Sequence, residues 1–228
     1  MTTTHYLLLI IIPMLLGLWA QWRVKGAFGK YSQIRATSGI SGAEAAREVL
    51  AASQIRDVEV VEIDSMLGDH YDPASKRLCL SSAVYHEPSI ASLGIAAHEA
   101  GHAIQHAKHY GPLKARMALV PITMYASNIL PWVTIGGFVF GFLGLFKIGI
   151  ICYLILAAFQ IITLPVEFDA SARAKVVLRQ MGLVQAGPEA AGVNSVLNAA
   201  AWTYVAAFVA TLGNLLYLIM AMQGHRRD

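Results

Sequence analysis

Apolar and polar positions along this chain segregate into long blocks. Four uncharged apolar runs stand out: Tyr6 to Trp22, Met117 to Phe146, Ile148 to Val166, and Ala201 to Met222 within a segment from Ala190 to Gly224. A segment in hydrocarbon must satisfy its own backbone hydrogen bonds, so runs of this length read as membrane helices. The second run carries Pro121, Pro131 and the Gly136-Gly137 pair. The first reads as a retained anchor. No Lys or Arg precedes Arg23, and Trp19, Gln21 and Trp22 close the run, unlike the flanks of a cleaved signal peptide.

The polar block between the first two runs shows shorter periods. Ser41-Gly-Ala-Glu44 is a capping box that predicts a helix through about Ala52. Val58, Val60 and Val61 set against Glu59 and Glu62 predict a short strand ending at Ile63. Asp69-His70-Tyr71-Asp72-Pro73 reads as a turn, and Leu78-Cys79-Leu80 as a second strand. Ser89 is positioned to cap a helix running to about Tyr110, with Gly111-Pro112 as its stop. The organisation expected is a membrane anchor (1–22), a small α+β domain (23–116), a transmembrane hairpin (117–166), a polar segment (167–200) and a C-terminal transmembrane helix with its tail (201–228). The fold class is an α-helical integral membrane protein of about four spans with a small α+β domain.

Composition sharpens this picture. Of 228 residues, 56% are hydrophobic and only 14% charged, and the mean hydropathy is +0.54. A soluble domain carries about a quarter charged residues, so a disordered tail and an ordinary cytosolic enzyme are both excluded. The net charge of +3, with no dense basic block, argues against nucleic acid as a partner. Two cysteines, Cys79 and Cys152, lie in dissimilar surroundings and suggest neither a disulfide framework nor a thiolate metal site. Most Lys and Arg lie between Arg23 and Arg116 or at Arg173, Lys175 and Arg179, leaving Lys147, Arg226 and Arg227 for the opposite face. The positive-inside bias then turns the polar segments towards the cytoplasm.

The predicted long helix contains His98-Glu99-Ala100-Gly101-His102, an HExxH motif. Positions i and i+4 share one helix face, so both imidazoles can bind the same zinc ion. Glu99 projects from an adjacent face, where a carboxylate can take the proton of a metal-bound water without ligating the metal. A catalytic zinc needs a third protein ligand and one open position. Glu167 is the best candidate, because two spans separate it from His102 and return the chain to the same membrane face. Asp169 is the fallback ligand, or a partner holding a histidine N–H. His106 and His109 read as polar surface or supporting residues, since Gln105 and Lys108 stand where a metzincin would have Gly and His. Gln105 shares the His98 stripe and is expected to line the cleft. His70, Tyr71, Tyr85 and Arg173 all remain candidates for stabilising an oxyanion.

These residues resemble a known family. Ser38-Gly-Ile-Ser-Gly-Ala-Glu44, Leu67-Gly-Asp-His-Tyr-Asp-Pro73, Leu78-Cys-Leu-Ser81 with Val84-Tyr85, Ala96-Ala-His-Glu-Ala-Gly-His-Ala-Ile-Gln105 and Leu164-Pro-Val-Glu-Phe-Asp-Ala-Ser171 follow the order seen in the YugP-like membrane-bound neutral zinc metallopeptidases. The resemblance implies a zincin-like domain and one zinc ion per chain, with His98 and His102 as ligands and Glu99 as catalytic base. More distantly, the chain is similar to the HtpX and CAAX-prenyl membrane peptidases, whose third ligand sits in a Glu-x-x-Ala-Asp pattern. Glu167 and Ala170 match that pattern, and Ser171 stands where its Asp would be.

The function expected is hydrolysis of a peptide or membrane-protein substrate at the bilayer surface, with the oligomeric state left open. An extended substrate is expected to pair with an edge strand at Leu78 to Leu80. A transporter is disfavoured because the four runs hold no ionisable acid or base. The rival is a non-catalytic, zinc-stabilised membrane scaffold or quality-control adaptor, against which Glu99 speaks, since a structural site needs no base.

Overall fold

The computed structural model describes residues 3–65 and 68–224, with side chains from Leu8 onward. Leu67, in one of the motifs above, and Arg226 and Arg227, used in the charge balance, lie outside the described residues. The elements run α1 (Thr3–Tyr31), α2 (Gly42–Ala52), β1 (Glu59–Ile63), β2 (His70–Asp72), β3 (Arg77–Ser81), α3 (Ser82–Tyr85), α4 (Ile90–Ala107), α5 (Gly111–Phe140), α6 (Leu143–Gln180) and α7 (Pro188–Gly224). Among the described residues, four helices, α1, α5, α6 and α7, are long and apolar enough to cross a membrane. The class is therefore a helical membrane protein with a small α+β part.

The chain divides into two compact units. The first comprises Met1–Gln21, Ala115–Leu164 and Trp202–Asp228, and the second Trp22–Lys114 and Pro165–Ala201. In the first unit, large apolar side chains face outward along every helix, among them Leu15, Tyr125, Trp132, Ile151 and Leu216. Its helices approach closely where residues are small. A Cβ at Gly213 of α7 would lie 2.6 Å from the Leu9 carbonyl oxygen of α1. Trp19 and Trp202 meet edge to face with ring centroids 5.4 Å apart.

The second unit has an ordinary buried core. Ala45, Ala46 and Val49 of α2, Leu78 and Leu80 of β3, Leu93 and Ala97 of α4, and Ala174 and Leu178 of α6 close on one another. Helix α2 starts as its sequence predicts. The Ser41 hydroxyl accepts from the Glu44 N–H, and the Glu44 carboxylate accepts from the Ser41 N–H at 2.7 Å. The three strands pair in the order β1-β3-β2, with β1 parallel and β2 antiparallel to β3.

Several boundaries differ from expectation. β3, Arg77–Ser81, is the central strand. Both of its hydrogen-bonding edges are occupied, so Leu78 to Leu80 cannot receive an extended substrate. β2 lies within the segment expected to be a turn, since three residues ending at Asp72, just before Pro73, are too few to show a period. Helix α4 ends at Ala107, with Lys108 as its C-cap and His109 in the left-handed region at φ 52°. Gly111 and Pro112 open α5, where a proline in the first turn costs no hydrogen bond. The second apolar run breaks at Gly141, φ 62°, so Leu143 to Phe146 belong to α6. Finally, α6 continues through Pro165 and the polar residues after it as far as Gln180. A single proline in a long helix removes one N–H, and neighbouring packing can hold the helix through it.

Candidate metal centre

The site lies wholly within the second unit and is built from α4 and α6. Ser89 caps α4 by accepting from the Ser92 N–H at 3.1 Å. Two and a half turns later, the i, i+4 spacing stacks His98 and His102 with ring centroids 4.8 Å apart. Gly101, between them, faces α6. A Cβ there would lie 2.8 Å from the Ala170 carbonyl oxygen and 3.2 Å from its Cα. The glycine of the motif and the alanine three residues after Glu167 are thus the contact at which the two backbones meet.

That close approach delivers Glu167, which is only 2% exposed, to the histidines. Its Oε2 lies 3.3 Å from His98 Nε2 and 3.6 Å from His102 Nε2. One ligand atom from each of the three residues falls within 4.8 Å of the other two.

The far side of each imidazole is also engaged. His98 Nδ1 is 3.1 Å from Ser171 Oγ, and His102 Nδ1 is 3.0 Å from Gln105 Oε1. Gln105, fully buried, donates from Nε2 to the Val166 carbonyl at 2.8 Å and to Asp169 Oδ2 at 2.7 Å. Asp169 also accepts from Arg173, Nε to Oδ2 at 2.5 Å. The Arg173 guanidinium lies 5.8 Å from the centre of the Tyr110 ring.

This donor set fits zinc. Two imidazole nitrogens and one carboxylate oxygen converge, and an outer partner holds each ring, as in metal sites that fix the histidine tautomer. The electrostatics point the same way. Burial opposes charge on His102, but hydrogen bonding to Glu167 and the nearby Glu99 carboxylate outweigh it and raise the pKa. The two carboxylates therefore favour positive charge at this ring. Glu99 is itself buried, and its charge reaches both His102 and Cys79.

The remaining expected residues separate. Asp169 bonds Gln105 and Arg173, so it meets a histidine only through Gln105. Gln105 does not line an open cleft but closes the back of the site. Tyr85 Oη accepts from Arg47 at 2.6 Å, and His70 Nδ1 lies 2.7 Å from the Gly68 carbonyl. Tyr71 Oη is 2.8 Å from Nδ1 of His106, one turn beyond His102. Burial, with Asp57 and Asp72 nearby, pushes the Tyr71 hydroxyl up to about 12, so it keeps its proton. His109 forms the left-handed end of α4. Sequence reasoning missed Ser171 and the Val166 carbonyl as supports. The only signal was position: Gln105 three residues after His102, and Ser171 four residues after Glu167.

An HExxH helix set against a glutamate-bearing helix, in a chain with four membrane-length helices, defines a membrane metallopeptidase class. The chain belongs to the family described as "Putative neutral zinc metallopeptidase", which it matches over residues 6–223. It is 43% identical over 223 residues, covering 98% of this chain and 99% of the relative, to "Putative membrane protease YugP" of Bacillus subtilis (strain 168). No solved structure matches the chain.

Proposed function

We propose that the chain is a zinc-dependent peptidase working at the membrane surface, with His98, His102 and Glu167 holding one zinc ion and Glu99 as general base. The observation that carries this reading is the convergence of two Nε2 atoms on one buried Glu167 oxygen, 3.3 and 3.6 Å away. When bound, zinc supplies a Lewis acid for the scissile carbonyl and brings the pKa of water down to about 7. Glu99 takes the proton of the attacking water and returns it to the leaving amine.

A donor is also needed for the oxyanion that develops on the carbonyl. Three of the four candidates bond other groups: Tyr85 to Arg47, His70 to Gly68 and Arg173 to Asp169. The fourth, Tyr71, shares a hydrogen bond with His106, a titratable ring on the same helix as the two histidine ligands. The Tyr71–His106 pair is the best-supported donor.

Placement at the surface follows from chain order. Glu167 stands three residues past Leu164, the last α6 residue of the first unit, about 4.5 Å along the helix axis. The distribution of Lys and Arg turns this face towards the cytoplasm. The substrate class is a peptide or a membrane-protein segment presented next to the bilayer.

Glu99→Gln tests the mechanism. Cleavage of a fluorogenic peptide pool by the detergent-purified protein should fall by about 10²–10⁴-fold, the usual contribution of a general base, while zinc stays bound. Cleavage at the parental rate would remove Glu99 from the base role.

A further inference from the structure

Gln105 combines three features. It is fully buried, it makes three polar contacts that exhaust its orientation, and those contacts join the two helices that carry the ligands. A buried side-chain amide is ambiguous until its partners decide which end is oxygen. Here the partners on one side are the Val166 carbonyl and the Asp169 carboxylate, both of which only accept. The NH2 end must face them. The oxygen is then committed to accept from His102 Nδ1–H, which makes Nε2, on the Glu167 side, the nitrogen that can ligate a metal. The orientation is passed back one step further, since Arg173 holds Asp169 through Nε at 2.5 Å and its terminal nitrogen at 3.2 Å.

We propose that Gln105 is the positioning residue of this centre. Its amide fixes His102 in the Nε2-ligating tautomer and, through Val166 and Asp169 on either side of Glu167, holds the third ligand at the same point. The inference rests on the zinc reading above. It assigns the work of an outer-sphere carboxylate to a neutral amide whose sense is set by the Asp169–Arg173 pair. His98, by contrast, meets only a hydroxyl, Ser171, which either donates or accepts. The tautomer is therefore imposed on His102 and only accommodated at His98.

The test is zinc affinity, measured by chelator competition on the detergent-purified full chain. Gln105→Leu keeps the bulk and removes the acceptor, and its zinc Kd should rise about 10–100-fold, as loss of an outer-sphere partner usually does. Gln105→Glu keeps an acceptor for His102 but sets a carboxylate against Asp169, so zinc should again bind more weakly than in the parent. Adding Asp169→Asn to Gln105→Glu exchanges donor and acceptor across that contact and keeps the charge, and it should recover the part of the affinity lost there, though not the part held by the Val166 carbonyl.

A residue that merely filled space would not be rescued by this exchange. Equal zinc affinity in Gln105→Glu and in the double variant would overturn the proposal, as would an unchanged Kd in a Gln105→Leu protein with parental melting temperature. If Gln105→Leu does not fold, the single and double Gln105→Glu variants decide the question by themselves. A parental protein that takes up no zinc would be a separate failure, overturning the metal reading and this proposal with it.

Discussion

The two units treat the same kinds of side chain in opposite ways. In the second unit Leu78, Leu80 and Leu93 are fully buried within one connected hydrophobic cluster that lies entirely in that unit, while the first unit buries a few large side chains such as Phe146 and Leu218. In the first unit Trp132 is 76% exposed, and Tyr125, Ile151 and Leu154 also face outward. Among the described large apolar residues that are exposed, only Trp22, Ile34, Phe168 and Val176 belong to the second unit. Apolar burial drives folding only where the alternative is water. A lipid-facing helix gains nothing by hiding leucine, and its helices associate through small residues such as Gly213. The chemistry follows the same division, since a buried acid among imidazoles needs a packed interior to hold it, and His98, His102 and Glu167 all lie beside the connected core of the second unit.

Substitutions can set the units against each other. The largest effect belongs to core truncation: Leu93→Ala should cost about 2–5 kcal/mol, while Leu154→Ala, facing outward in α6, should stay within about 0.5 kcal/mol. Denaturant unfolding in one detergent measures both. Charge reverses the ranking. Ile151→Lys puts an ammonium among exposed apolar side chains of a spanning helix and should cost about 2.5–3.5 kcal/mol in membrane insertion. Val176→Lys, at a similarly exposed position in the second unit, should be near neutral. Equal costs at the two positions would mean that the exposed apolar surface of the first unit does not face lipid.

Gly101→Ala comes next and links packing to chemistry. The added methyl would press on the Ala170 backbone, for a cost of about 1–3 kcal/mol typical of overpacking. Zinc affinity should fall with it, because the contact that yields is the one presenting Glu167. The smallest effect is expected at a surface cap. Ser41→Ala removes one half of the capping box of α2 and should cost about 1 kcal/mol without touching zinc binding.

What was legible in the sequence was local. The capping box at Ser41 and Glu44, the i, i+4 histidines and the four apolar runs each follow from a short window, and each is found within a helix of the structure, the second run apart, which breaks at Gly141. What was not legible depended on partners far along the chain. β3 is central only because β2, three residues long, pairs on its far side. Gln105 looked like a cleft residue because its stripe was visible and its partners, 61 and 64 residues away, were not. Asp169 was weighed as a ligand because carboxylates bind metals, yet Arg173 four residues later claims it. The stop expected at Gly111-Pro112 became a start, since proline is equally suited to a first helical turn.

The measurement that bears most directly on the central claim is metal stoichiometry by elemental mass spectrometry, on the detergent-purified parent beside Glu167→Ala. A three-ligand centre predicts about one zinc per chain in the parent and a sharp loss in the variant. Zinc retained equally in both would contradict Glu167 as a ligand, and zinc in neither would contradict the metal centre itself.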